Sequence, residues 1–292
     1  MPLHPIARPA SAFSLTVVLV LAGCSAAPTV DDTAADMPDA SQTVFEHIHG
    51  IGLNPADDSV YVATHRGLFR LDDSVPQRVG ETRSDLMGFL VTGPDSFYAS
   101  GHPAPGEAAP ANLGLLSSTD AGAAWENVSL RGHSDFHDLT GVDDRLYGLD
   151  SSDGRLKRSD DAGVTWTSGP TVAARDIDVD PNDPDRLVVT AEAGLLVSTD
   201  GGEAFAPHEV QPPERLVLVA HVRGRSDQLT ASLAGLDAVG RLWVFDGAGW
   251  AVTGVPRGAP EAFVAIGEES YLAAFDGTVF RTGDAGRSWS QA

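Results

Sequence analysis

The sequence predicts an all-β chain, a six-bladed β-propeller of four-stranded antiparallel blades, ahead of a seven-bladed one. Three observations predict it. A short motif returns about every 40 residues. Strand-length apolar runs alternate with turn residues throughout residues 44–292. No stretch carries helical periodicity of useful length.

The motif has four good copies: Ser118-Thr119-Asp120-Ala121-Gly122-Ala123-Ala124-Trp125, Ser159-Asp160-Asp161-Ala162-Gly163-Val164-Thr165-Trp166, Ser198-Thr199-Asp200-Gly201-Gly202-Glu203-Ala204-Phe205 and Thr282-Gly283-Asp284-Ala285-Gly286-Arg287-Ser288-Trp289. They begin 41, 39 and 84 residues apart, and the last gap is two periods. A degenerate copy at Phe245-Asp246-Gly247-Ala248-Gly249-Trp250 fills it, and a remnant at Leu71-Asp72-Asp73-Ser74 lies one period ahead of the first. Each repeat then divides into four strands. The first reads HGIGLNP, SVYVATH, GLFRLD and PQRVG, and the fourth reads RDIDVDP, RLVVTAE, GLLVSTD and AFAPHE. Residues 44–46 offer an optional extra strand to close the ring on the last blade.

This pattern, S/T-x-D-x-G-x-x-W/F, resembles the Asp-box (BNR) repeat of sialidases, sortilin-type receptors and related propellers over residues 44–292. The resemblance implies that Asp120, Asp161, Asp200 and Asp284 are turn residues between third and fourth strands. The glycine takes a positive φ, and Trp125, Trp166, Phe205 and Trp289 pack between blades. Glycosyl-hydrolase-like in fold, the chain does not show the catalytic motifs of a sialidase. No arginine motif of the F/Y-R-I-P kind stands near the start, where the sequence reads HIHG. Tyr61, Tyr98, Tyr147 and Tyr271 recur at one second-strand position, which marks packing rather than a nucleophile.

Ahead of the repeats, Phe13 to Ala22 form an apolar run too short to span a bilayer, closed by Leu21-Ala22-Gly23-Cys24. The tetrapeptide resembles the bacterial lipobox, which implies a signal peptide over residues 1–23 and lipidation of Cys24, the single cysteine of the chain. Residues 24–43 are polar, small and Pro-punctuated, and read as a disordered tether of roughly 25 Å end to end. The expected location is the cell envelope, on the outer side of the cytoplasmic membrane. With 19 Lys and Arg against 41 Asp and Glu, net charge −22, the surface argues against nucleic acid as a partner. Acyl chains rather than a basic patch would hold the protein at the membrane.

What departs from the scaffold is histidine. Six of the nine histidines lie between residues 47 and 137. Superposing the first strands aligns His49, Met87, His137 and Arg175, with His47, Asp85 and Asp135 two residues earlier. His65 and Glu192 precede the glycine that opens their third strands by two, and His102 follows Tyr98 as His65 follows Tyr61. All of these belong to one end of the propeller, opposite the repeat turns. His47, His49, His65, Met87, His102 and His137 are therefore the candidate metal ligands, with His133 nearby. Asp85, Asp135, Asp138 and Glu192 are the candidate carboxylates of that face. His208 and His221 fall outside the pattern and read as structural. Imidazole with thioether favours copper over zinc, and His with carboxylate alone also suits zinc or nickel. Three functions stay open: an envelope metal-binding protein, a scaffold for an envelope protein partner, and a sialidase-like glycosidase acting on envelope glycans. An enzyme is the less favoured class.

Overall fold

Each repeat folds as one antiparallel sheet whose four strands pair in chain order, and six such sheets make a six-bladed β-propeller. The computed structural model describes Pro2, residues 45–222 and residues 232–292. The signal-peptide and tether segments, with Cys24, lie outside the described residues. No helix occurs among those described.

The first strands of the six blades are Ile48–Leu53, Asp85–Gly93, Phe136–Val142, Ala174–Asp180, Leu216–His221 and Pro260–Ala265. They contact one another in a ring that closes blade 6 on blade 1, and together they line an axial channel. The core is accordingly six separate seams. Ile48, Val62 and Phe69 of blade 1 pack on Leu272, Ala274 and Val279 of blade 6, and each other seam carries its own buried cluster. Closure needs no strand exchange. Phe45 donates its N–H to Gly277 O, 2.7 Å away, but the fourth strand of blade 6 is its own Ser290–Gln291.

The repeat turns are built by hydrogen bonds. Ser159 Oγ accepts from Gly163 N at 2.9 Å and donates to Asp161 Oδ1 at 2.8 Å, and Asp161 Oδ1 accepts from Thr165 N at 2.8 Å. The same bonds recur around Asp120, Asp200 and Asp284. Backbone N–H donors hold Asp120, Asp161 and Asp200 below the usual carboxylate range, and the Ser288 hydroxyl and N–H bring Asp284 to about 2. Gly163 is at φ +85°, and a Cβ there would stand 2.1 Å from Leu115 Cδ2 of the preceding blade. Glycine is required on both counts. Trp166 closes the same seam, its Nε1 donating to Gly163 O and Ser129 Oγ at 2.9 and 3.0 Å. Tyr147 and Tyr271 are fully buried, and Tyr147 donates its hydroxyl to Pro184 O at 2.7 Å, as packing residues do.

The first strands meet at the axis in two ways. In blades 1 and 2 glycine permits close approach: a Cβ on Gly50 would lie 2.8 Å from Phe89 Cβ, and one on Gly52 would lie 2.5 Å from Val91 Cγ2. In blades 3 to 5 carboxylates bridge the seams instead. Asp138 Oδ2 accepts from Ile177 N at 2.7 Å, Asp176 Oδ2 from Val219 N at 2.6 Å, and Asp178 Oδ2 from His221 N at 2.6 Å. Splayed neighbouring strands leave these N–H groups without ladder partners, and the aspartates satisfy them.

Candidate functional site

Every first strand carries a β-bulge at the same point, and it fixes what faces the channel mouth. The register slips across His49, Met87, His137, Arg175, Val217 and Glu261 in blades 1 to 6. A bulge re-aims the extra residue and breaks the ladder locally. The four residues that superpose in the sequence therefore do share one structural position, and Glu261 joins them from blade 6. The channel behind this ring encloses about 540 Å³.

The candidate ligands gather in two sets rather than one. In the first, His49 Nε2 stands 3.1 Å from His65 Nδ1 and 3.2 Å from Asp85 Oδ1, and His65 Nδ1 is 2.9 Å from Asp85 Oδ2. His47 packs beside them, its ring centroid 4.8 Å from that of His49 and 5.6 Å from that of His65. Its Nδ1 is held 2.8 Å from Glu261 Oε1. In the second set, His137 Nε2 lies 2.8 Å and His102 Nε2 3.5 Å from Asp135 Oδ2. Within each set the donor atoms are within 4.8 Å of one another. Asp85 and His102 are cross-strand partners in blade 2, so the two sets adjoin.

The surroundings orient these donors. His102 Nδ1 faces Ala111 O at 2.9 Å, which places the proton on Nδ1 and leaves Nε2 its lone pair. Ser151 Oγ donates to Asp135 Oδ2, and Asp135 N donates to Asp150 Oδ1 at 3.1 Å, with Lys157 Nζ 3.1 Å from Asp150 Oδ2. One oxygen in each set is buried without a hydrogen-bond partner, Oδ1 of Asp85 and Oδ1 of Asp135. Buried polar atoms are normally satisfied, so both are candidate acceptors for a cation, Asp135 Oδ1 without a partner and Asp85 Oδ1 with only the ion-pair contact to His49 Nε2 at 3.2 Å.

Burial first, then the neighbouring His65, pushes His49 down to about 4, which keeps its ring neutral. His137 is shifted the other way, raised by its hydrogen bond to Asp135. Burial disfavours the Asp135 carboxylate, but hydrogen bonds from His137 and Ser151 outweigh it and the group is lowered.

Four expected residues stand apart from these sets. Met87 lies on the ring between His49 and His137 and lines the channel with them. Asp138 faces the channel one residue on, bonded to the backbone of blade 4. Glu192 occupies the hairpin of blade 4 that corresponds to His65, where it lines a separate hollow with Pro170 and Phe205. His133 donates its backbone N–H to Leu130 O and enters neither set. His208 enters neither set; its Nδ1 lies 2.9 Å from Val210 O and its ring is edge-on to Phe245. His221 also falls outside the first-strand pattern. It proves to be a buried channel residue, its Nδ1 3.1 Å from Asp178 Oδ2. Asp176, Asp178 and Glu261 complete the channel's polar lining. Carrying the first-strand superposition through blades 5 and 6 would have exposed Glu261. Nothing in the spacing marks the other two.

No protein-family model matches the chain, and no curated protein does. Solved structures do match. One described as "YCF48 bound to D1 peptide" is 15% identical, with a TM-score of 0.50 over 80% of this chain and 77% of that one. The GH74 enzyme of Niastella koreensis is 17% identical, with a TM-score of 0.57 over 85% of this chain and 45% of that one. The GH74 xyloglucanase of Xanthomonas campestris is 21% identical, with a TM-score of 0.55 over 85% and 46%. The likeness is one of fold. The chain spans less than half the length of either GH74 enzyme.

Proposed function

We propose that this propeller is an envelope-anchored protein that binds a late first-row transition metal at the mouth of its channel. The observation that carries the reading is the pair of His₂Asp sets, His49/His65/Asp85 and His102/His137/Asp135, each with a buried carboxylate oxygen that accepts no hydrogen bond. Two imidazoles and a carboxylate suit zinc, copper(II), nickel or iron, and at equal geometry copper binds tightest of these. Met87, on the ring between the two sets, adds a soft thioether and supports copper further. His47, held by Glu261, is a third imidazole within reach of the first set. Metal analysis of protein purified without a His tag tests the reading.

Anchoring through acyl chains on Cys24 belongs to the same proposal and follows from the lipobox-like tetrapeptide. Two alternatives remain open to test. The solved YCF48 structure carries a peptide, and a peptide seated on the histidine mouth is the reading that a metal-free protein would favour. A glycosidase would need two carboxyls roughly 5–10 Å apart across a pocket. The close pair in this channel, Asp138 and Asp176, is hydrogen-bonded to itself and to backbone N–H groups, which commits those oxygens to a blade seam.

A further inference from the structure

The channel mouth is chemically two-sided. Its bulge residues in blades 1 to 3 are His49, Met87 and His137, whereas blades 4 to 6 supply Arg175, Val217 and Glu261. Arg175 is the one lysine or arginine lining the channel among the described residues. Its Nη2 donates to Pro260 O of blade 6, two blades away, at 2.8 Å. That carbonyl is its only hydrogen-bond partner among the described residues.

The channel's acids are all engaged elsewhere. Glu261 places Oε1 on His47 Nδ1 and Oε2 on Gly277 N. Asp138 and Asp176 bond each other and the backbone, and Asp178 accepts from Thr140, His221 N and the His221 ring. An exposed guanidinium thus stands on the rim with most of its donors unspent and no carboxylate to meet. In a chain of net charge −22 this is an unusual place for an unpaired cation. The guanidinium fork matches a carboxylate in two parallel hydrogen bonds, which an ammonium cannot do.

We propose that Arg175 anchors a small dicarboxylate or tricarboxylate across the mouth, with a second carboxylate of the same molecule completing the coordination of a metal ion on the His/Asp side. The bound species is then a metal–carboxylate chelate rather than a bare ion. This rests on the metal-binding reading, so the test is built to separate the two. Protein is loaded with zinc, freed of excess metal, and its zinc content measured; succinate is then titrated in by calorimetry. Wild-type protein should bind succinate at least tenfold more tightly than Arg175→Gln protein of equal zinc content, with Arg175→Lys between them. The zinc-free wild type should bind it more weakly than the loaded form. Equal affinity in wild type and Arg175→Gln, or no binding by protein shown to hold zinc, overturns the anchor. Protein that takes up no zinc defeats the metal reading alone. In that case succinate binding that Arg175→Gln abolishes upholds the anchor, and no binding overturns it.

Discussion

Asp85 and His102 face each other as cross-strand partners at the open end of blade 2, and each belongs to a different one of the two candidate metal-binding sets. The first set reaches back to His49 and His65 of blade 1, and the second reaches on to Asp135 and His137 of blade 3. A metal ion in either set therefore ties two blades together. Folded protein gains stability from any ligand the unfolded chain does not bind, about 2.7 kcal/mol at one hundred times Kd. For a domain of this size that is a rise in Tm of about 5–10 °C. Copper or zinc should raise the melting temperature by about that amount for each set filled, and a chelator should reverse it. Asp85→Ala should remove the part owed to the first set and keep the rest. An unchanged Tm at saturating metal would contradict the bridging geometry.

The two sets should fill at different pH. His49, lowered to about 4, is already neutral when metal arrives, so that ligand has no proton to release in mildly acidic buffer. His137 is raised by Asp135 and must give up its proton before it can coordinate. Lowering the pH from 8 to 5.5 should cost the second equivalent of metal before the first. In His137→Ala the pH-sensitive equivalent should be missing, and in His49→Ala it should be the one that remains. Loss of both equivalents in a single step would contradict this order.

Asp138 and Asp176 hold a proton between them. Burial raises Asp138 to about 7 and, with the neighbouring Asp138 charge, raises Asp176 well above the usual carboxylate range. The folded chain keeps protons that the unfolded chain releases above about pH 4, so this pair's contribution is fully present below that point. It is lost as pH rises through about 7. Asn at position 176 keeps an acceptor for Val219 N and a permanent donor to Asp138. Asp176→Asn should therefore flatten the decline in Tm on the alkaline side, measured from pH 5 to 9. A steeper decline than wild type would contradict the shared proton.

The blade count and the strand boundaries were legible because the turn chemistry repeats. Ser159, Asp161 and Gly163 each have one job, and the same three residue types recur wherever that job recurs. The shared position of His49, Met87, His137 and Arg175 was legible for the same reason. The division into two sets was not, because it depends on which side chains meet across a seam. His65 turns toward Asp85 of the next blade, and His102 turns toward Asp135 of the one after. Asp176 and Asp178 were invisible because their role is to satisfy N–H groups of a neighbouring blade, and no spacing within one repeat records that. Glu192 shows the limit from the other side. It holds the hairpin position of His65, but the bulge residue of blade 4 is Arg175 where blade 1 has His49.

The anchoring proposed for Cys24 can be tested apart from folding. Cys24 lies well before the first blade, and its thiol is the single one in the chain. Cys24→Ser should move the protein from the membrane fraction to the soluble fraction while its melting temperature and metal content stay those of wild type. Retention in membranes after a high-salt wash would contradict lipidation at this residue.

Whether the histidine mouth binds metal is decided by a calorimetric copper(II) titration of untagged, chelator-treated protein near pH 7.5. Two equivalents should bind at micromolar affinity or tighter, His49→Ala and His137→Ala should each remove one, and His208→Ala should remove neither. No binding of copper, zinc or nickel tighter than about micromolar would contradict the account and leave the mouth as a protein-interaction surface.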